Sequence, residues 1–347
     1  MKILHAADWH LDAPMQGYPQ SLRQVLAAVP GQIFEIARRE NCDLVLLSGD
    51  LFDGPYTSHT YQNLRDVLQA LDVPVFIAPG NHDHCGGESP WNRELWPENV
   101  HIFNSTRVES VVLPELDCRV YGAGFENMDC PPLLEGFRAE CAERYVIGVF
   151  HGDPTQVNSP YNPITGMQVQ NSNLDYLALG HIHKADCFRA GKTLCAWPGC
   201  PMGKGFDEQG EKGVYIVTLG EEPSLRFCPL DTPRFYDLEA EVLELNSILP
   251  PVGNDHYYRV TLTGCCEAPD LEQLRAQYTR FPNLQLRDKT TRPMDIWGSL
   301  GEDSFEGVYF GLLKQALEEA DGELKQEVLL AATLSRQLLD GQEVVLP

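Results

Sequence analysis

Residues 78–84 read APGNHDH. An apolar run closes on Pro79 and Gly80 and then presents Asn81, His82, Asp83 and His84 in succession. A turn has use for Pro-Gly-Asn but none for His-Asp, so the stretch reads as chemistry placed at the mouth of a strand. Outward from it the same grammar recurs. β-type runs occur in KILHAA (2–7), DLVLLSG (43–49), VPVFIAPG (73–80), RYVIGVFHG (144–152), DYLALGH (175–181) and GVYIVTLG (213–220). Several are continuously apolar, as strands covered on both faces are. Helical patterns over residues 20–39 and 60–71 alternate with the first of them, which predicts an α/β arrangement. The strand ends in order are Asp8-Trp9-His10, Gly49-Asp50-Leu51-Phe52-Asp53, Gly80-Asn81-His82-Asp83, His151-Gly152 and Gly180-His181-Ile182-His183. Asp-x-His alone is common, and a lone histidine after a strand is more often a surface residue. The ordered set of five at strand ends is a different matter, because a rigid sheet lets such loops converge on one site. Carboxylate, carboxamide and imidazole donors without thiolate favour manganese- or iron-like divalent ions over a closed structural zinc site. The donors are too many for one ion, and a carboxylate between two clusters would bridge a pair roughly 3.5–4 Å apart.

Length and composition set the frame. A chain of 347 residues exceeds the usual single core, which suggests a large domain plus a smaller one. The opening MKILHAADWH interrupts any apolar region with His5, Asp8 and His10, so it does not read as a signal peptide. No apolar run approaches the roughly 20 residues of a membrane helix. The 11 cysteines are odd in number and lack zinc spacings, as in a reduced compartment. A soluble, cytoplasmic protein is the expectation. The net charge of -24 argues at first against a nucleic-acid partner. Its distribution softens that: residues 1–234 hold 17 basic and 30 acidic side chains, 235–300 hold 6 and 10, and 301–347 hold 3 and 10.

The set D-x-H, GD-x-x-D, GNHD, H and G-H-x-H resembles the calcineurin-like metallophosphoesterase superfamily, with no member of the pattern missing. ILHAADWHLDAP, LLSGDLFD, IAPGNHD, LDYLALGHIHK and WPGCPMGKGFDEQGEKGVYIV (197–217) are similar to one branch, the SbcD-type DNA repair exonuclease subunits. The resemblance covers residues 1–232 well. It implies an α/β fold of two packed β-sheets flanked by helices, with a small α+β capping domain and C-terminal helices. It further implies that Asp8, His10 and His183 bind one metal, that Asn81, His151 and His181 bind the other, and that Asp50 bridges them. His82 would stand beside the scissile phosphate, with Asp83 orienting it. Asp53 occupies a position where some members carry histidine and others aspartate, and it joins His82 and Asp83 as a catalytic candidate. Two divalent ions are implied, manganese first, with iron, magnesium and zinc as alternatives. His84, His5, His59, His101 and His256 read as ordinary histidines, and Lys184 and Lys192 as solvated charges. Lys204, within GKG, is the better phosphate contact.

Pro-Leu-Asp-Thr-Pro punctuation near residues 229–240 marks a boundary, giving a metallophosphoesterase domain at 1–234. HYYRVTLTG (256–264), DLEQLRAQYTRF (270–281) behind an Asp270 cap, and NLQLRD form a βαβ-like unit within 235–300. This unit resembles the capping domain of SbcD-type nucleases. Arg259, Arg275, Arg280, Arg287, Lys289 and Arg292 make it the most basic part of the chain, and Arg259 and Arg287 join Lys204 as substrate-binding candidates. Residues 301–347 carry two amphipathic stripes, one of Phe305, Val308, Tyr309, Leu312, Leu313, Ala316 and Leu317, the other of Leu324, Val328, Ala331, Leu334 and Leu338. In the SbcD family such a segment docks an SbcC-type coiled-coil ATPase, and these proteins commonly form homodimers. Two readings of function follow. One is a two-metal DNA nuclease of SbcD type. The other is a metallophosphoesterase for small-molecule phosphodiesters or phosphoproteins, because fold and site do not fix the substrate.

Overall fold

The apolar runs alternate between two covered faces, and this sets the layering seen in the computed structural model, which describes residues 1–140 and 142–341. The elements in chain order begin with β1 (Lys2–Ala6), α1 (Gln20–Arg39), β2 (Leu44–Leu47), α2 (Ser58–Gln69), β3 (Val75–Ile77), α3 (Pro90–Arg93) and β4 (Val100–Ile102). There follow β5 (Glu109–Leu113), β6 (Cys118–Gly122), β7 (Tyr145–His151), α4 (Gly166–Asn171), β8 (Tyr176–Gly180), β9 (Asp186–Ala190), β10 (Thr193–Trp197), β11 (Gly213–Thr218) and β12 (Ser224–Pro229). The chain continues with β13 (Phe235–Glu241), α5 (Leu245–Ile248), β14 (Tyr257–Thr263), α6 (Leu271–Ala276), β15 (Asn283–Asp288), α7 (Phe305–Glu319) and α8 (Gly322–Leu339).

Two six-stranded sheets have the orders β12-β11-β1-β2-β3-β4 and β5-β6-β7-β8-β10-β9. β1, β2, β3 and β4 are parallel in sequence, as are β6, β7, β8 and β10. Ile3, Leu44, Leu46 and Phe76 of the first sheet share a buried cluster with Val120, Ile147, Val149, Tyr176 and Ala178 of the second. The alternate residues Leu4, Val45, Leu47, Val75 and Ile77 pack under α1 and α2 through Leu22, Leu26, Val29, Ile33, Leu64 and Leu68. Burial on both faces is why these strands lack a polar alternation. α2 begins at Ser58, ahead of the expected residue 60, because the Thr57 side chain accepts from the Thr60 backbone N–H and caps it.

A polar residue, His5, lies in the inter-sheet core. His5 is fully buried, with Nδ1 2.7 Å from the Tyr176 hydroxyl and Nε2 2.9 Å from Ser48 Oγ. Burial holds its imidazole down to about 3. A histidine in the unfolded chain takes up a proton as pH falls below about 6.5, whereas His5 resists until about 3. Folding stability therefore declines as pH falls through that window. His5→Phe is expected to cost about 2–6 kcal/mol at neutral pH, the desolvation of two buried hydroxyls left unpaired. It is also expected to flatten the acid-side slope in urea unfolding measured from pH 6.5 to 4. An equal slope in the variant would assign the acid sensitivity elsewhere.

The chain divides into two compact units, one of Met1–Asp237 with Asn254–Arg259, the other of Leu238–Gly253 with the residues from Val260 onward. A third sheet has the order β13-β14-β15. In the second unit, Asp270 caps α6 by accepting from the Glu272 and Gln273 backbone N–H groups. The helix is shorter than the expected 270–281. Its end is fixed by Arg275, whose guanidinium donates to the carbonyl oxygens of Tyr278, Phe281, Pro282 and Leu284 and so holds the chain in a turn. α7 and α8 are joined by a Tyr309–Ser335 hydroxyl pair at 2.8 Å and an Arg336–Glu306 ion pair at 2.6 Å, around buried Phe310 and Ala332. The expected α7 stripe is only partly covered: Phe305, Val308 and Leu312 are 74%, 61% and 63% exposed. Among the described residues no helix is long and apolar enough to cross a membrane.

Candidate metal centre

Parallel order brings the carboxyl ends of β1, β2 and β3 to one edge of their sheet, and those of β7 and β8 to one edge of theirs. The ends of β1, β2 and β8 turn sharply. Asp8, His10, Asp50 and His181 all adopt positive φ (56°, 50°, 51° and 97°), a conformation that non-glycine residues keep only where surroundings over-determine it. Two glycines permit the convergence. A Cβ on Gly80 would lie 2.3 Å from Asp50 Oδ1 and 2.8 Å from the His151 ring, and one on Gly180 would lie 2.1 Å from the Ser48 carbonyl oxygen.

The side chains meet closely. His10 Nε2 is 3.0 Å from His183 Nε2. Asp50 Oδ2 is 3.3 Å from His151 Nε2 and 3.9 Å from His10 Nε2. Asn81 Oδ1 is 3.0 Å from His151 Nε2 and 3.2 Å from His181 Nδ1. Asp8 Oδ1 accepts from the His181 backbone N–H at 2.9 Å, while its Oδ2 is buried with no hydrogen-bond partner. The second nitrogen of three rings is anchored from outside: His10 Nδ1 by Asp53 Oδ1 at 2.9 Å, His151 Nδ1 by the Ser48 carbonyl at 2.8 Å, and His183 Nδ1 by Glu208 Oε1 at 2.5 Å. An acceptor on Nδ1 assigns the proton there and leaves Nε2 as a lone-pair donor turned inward.

Asp8, His10 and His183 place one ligand atom each within 4.8 Å of one another, and so do Asp8, Asp50 and His151. Carboxylates and imidazoles packed this tightly, with one buried carboxylate oxygen lacking any partner, fit divalent cations. Charge balance in the bare cluster is local. Burial alone would raise Asp50, but the imidazoles of His151, His10 and His82 hold it well below the usual carboxylate range. Burial alone would lower His151, yet the Asp50 carboxylate lifts it to about 9.

His82 stands at the rim with its side chain 47% exposed, and its Nδ1 is 2.9 Å from Asp53 Oδ1. The Asp53 hydrogen bond raises its pKa against the opposing effect of partial burial. Asp53 is itself held low by the hydrogen bonds from His10 and His82. Asp83 does not orient His82, contrary to expectation. Its carboxylate is buried and accepts from the backbone N–H groups of Gly80, Asp50 and Leu51 at 2.8, 3.1 and 2.7 Å, clamping two strand-end turns together. Burial and the Asp50 charge push it up to about 7. A cleft of about 790 Å³ adjoins His82, lined in part by Tyr56, His84, Arg93 and Glu94. His84 Nδ1 is 3.1 Å from the Asn81 carbonyl oxygen.

The substrate-contact candidates fare unevenly. Lys204 lies by the cluster, with Nζ 3.6 Å from Glu208 Oε1. Arg259 is occupied, forked onto Asp237 and stacked 4.3 Å over the Phe206 ring. Arg287 is exposed on β15 in the second unit. Sequence reading missed Glu208, which stands 25 residues from His183 in a loop with no ligand spacing to flag it.

Residues 1–185 match the family described as calcineurin-like phosphoesterase. The chain is 33% identical over 234 residues to the uncharacterized metallophosphoesterase YhaO of Bacillus subtilis, covering 62% of this chain and only 57% of that protein's length. It is 26% identical over 269 residues to the SbcD component of the SbcCD nuclease of Bacillus subtilis, covering 64% of this chain and 68% of the relative. To the corresponding SbcCD nuclease component of Staphylococcus epidermidis it is 24% identical over 97% of this chain and 100% of the relative. The matched span holds every strand end that feeds the cluster, so the chain belongs to the calcineurin-like phosphoesterase family.

Proposed function

We propose that the chain is a two-metal phosphodiesterase that cleaves DNA, an SbcD-type exonuclease or endonuclease acting in DNA repair in the cytoplasm. The observation that carries the phosphodiesterase reading is the convergence of His10 and His151 Nε2 on Asp50, with His183 Nε2 against His10 Nε2 and His82 at the rim beside an open cleft. Asp8, His10 and His183 would hold one ion, Asn81, His151 and His181 the other, and Asp50 would bridge. Two divalent ions so held, manganese first, would supply Lewis acidity toward the phosphoryl oxygens and would lower the pKa of a bound water. His82 keeps its Nδ1 proton on Asp53, so its Nε2 is the group that hydrogen-bonds the phosphate and donates a proton to the leaving oxygen. Asp83 holds the two turns that position Asp50 and His82.

DNA as substrate is supported by the likeness to the SbcD component of the SbcCD nuclease along the length of the chain. Residues 235–300 act in this reading as a cap over DNA. Arg275 and Arg292 are committed to internal partners and Arg280 is stacked over the Tyr278 and Phe281 rings, which leaves exposed Arg287 and Lys289 as its backbone contacts. Exposed Phe305, Val308 and Leu312 on α7 offer an apolar face for an SbcC-type coiled-coil ATPase, and the nuclease works as a homodimer. A second reading, hydrolysis of small-molecule phosphodiesters or phosphoproteins, is favoured by the net charge of -24.

The test is digestion of single- and double-stranded DNA with manganese beside bis-p-nitrophenyl phosphate, with His82→Ala and metal-free protein as controls. Cleavage of DNA that both controls abolish is the expected result. Hydrolysis of the small diester alone would overturn the DNA assignment and leave the second reading.

A further inference from the structure

We propose that Glu208 is a positioning residue for one of the two ions: it is the outer strut of His183 and fixes that ligand's ring. The inference rests on the two-metal reading and is independent of the substrate. His183 is the outermost of the ligand histidines, its side chain 29% exposed against 2% for His10, 0% for His151 and 16% for His181. Core packing therefore cannot hold it as it holds His151. The loop between β10 and β11 supplies the missing support. Gly199, at φ 73°, approaches so closely that a Cβ there would lie 2.6 Å from the His183 carbonyl oxygen. That same oxygen accepts from the Cys200 backbone N–H at 3.3 Å and from the buried Lys212 Nζ at 3.1 Å. The backbone is thus pinned, and the ring is left to Glu208.

Glu208 meets two donors with its two oxygens. Oε1 accepts from His183 Nδ1 at 2.5 Å and Oε2 from the Lys204 backbone N–H at 2.7 Å. Lys204 Nζ adds a positive charge 3.6 Å from Oε1. A carboxylate with both oxygens so engaged has one orientation available. The ring it faces keeps its proton on Nδ1 and its lone pair on Nε2, where His10 Nε2 stands 3.0 Å away. An anionic acceptor also makes Nε2 a stronger ligand. This assigns a role to the DEQGEK part of the 197–217 stretch, whose length and glycines are what let Glu208 return to His183.

Glu208→Gln tests the assignment without changing side-chain volume. Glutamine offers a single acceptor oxygen, so it can serve His183 or the Lys204 N–H but not both. Manganese titration of the apo-protein, read by the electron paramagnetic resonance of free Mn(II), is the primary measurement, with His183→Ala as the benchmark. The expected result is two ions on the wild type. On Glu208→Gln one ion binds as in the wild type and the other is weakened about 10- to 100-fold, the same ion that His183→Ala loses. Two ions bound to the variant as to the wild type would overturn the inference. So would equal weakening of both ions with a lowered apo melting temperature, which would make Glu208 a scaffold residue. A wild type that binds fewer than two ions would fail the two-metal reading itself.

Discussion

Asp50→Asn is expected to abolish metal-dependent phosphodiester hydrolysis, by more than about 100-fold, beyond the loss typical of an outer-sphere partner, and to leave the metal-free protein less stable than the wild type. Asp50 sits at φ 51°, a conformation asparagine adopts as readily as aspartate, so the backbone is not disturbed. The asparagine oxygen can retain the bond that Asp50 Oδ1 accepts from the His82 N–H at 2.8 Å. Its amide nitrogen then replaces Oδ2, 3.3 Å from His151 Nε2, and can donate to a neutral imidazole. What disappears is the charge between the two clusters. That charge is fully buried and, in the metal-free protein, is compensated by the His151 imidazolium, so removing it breaks a buried ion pair and costs stability. The check is thermal unfolding with and without manganese beside the hydrolysis rate. The wild type should gain melting temperature on adding manganese, since an ion that binds only the folded state stabilises it by mass action, and the variant should gain far less. A variant that keeps its manganese-dependent shift would remove Asp50 from the bridge between the ions.

The same residues show why part of the site was legible in sequence and part was not. Asp8, His10, Asp50, Asn81, His151, His181 and His183 follow directly on apolar runs. A strand end fixes where the next one to three residues go, so order and local spacing carried the cluster. Glu208 answers to no such rule. It reaches His183 across a loop that crosses one strand pair, and only the folded path of residues 197–213 brings them together. Asp83 was misread for a local reason. Adjacency to His82 suggested contact, yet the turn directs successive side chains apart, and the Asp83 carboxylate goes inward to four N–H groups while Asp53 arrives from the preceding strand end. Hydrophobic periodicity located α1 and the strands because both are covered on the faces it reports. It overran α6, where the four-carbonyl clamp of Arg275 is a tertiary event. It also could not distinguish an α7 stripe that packs on its own unit from one left open, and Phe305, Val308 and Leu312 are open.

His82→Ala is expected to lower kcat by about 10²- to 10⁴-fold, the usual contribution of a positioned proton donor, with manganese stoichiometry unchanged. The stoichiometry should hold because His82 hydrogen-bonds to the cluster through its backbone N–H on Asp50 and its ring on Asp53, and meets His10 only as an edge-on ring contact at 4.6 Å, offering no ligand atom to the Asp8–His10–His183 or Asp8–Asp50–His151 groups. Asp53→Asn acts on the same chemistry from behind. Asp53 Oδ1 is shared by His82 Nδ1 and His10 Nδ1, both at 2.9 Å, so the substitution weakens the acid and one metal ligand together. At saturating manganese only the first effect remains. The Asp53 hydrogen bond is the main cause of the raised His82 pKa, so the protonated ring persists to higher pH than an ordinary histidine, and activity should fall as pH rises through that value. Without the carboxylate the fall should move to lower pH. Because both substitutions act through one proton, adding His82→Ala to Asp53→Asn should cost much less than His82→Ala costs alone. Fully additive losses in that double-mutant cycle, or a His82→Ala rate within tenfold of the wild type, would separate Asp53 from His82 and move the proton donor elsewhere in the cleft.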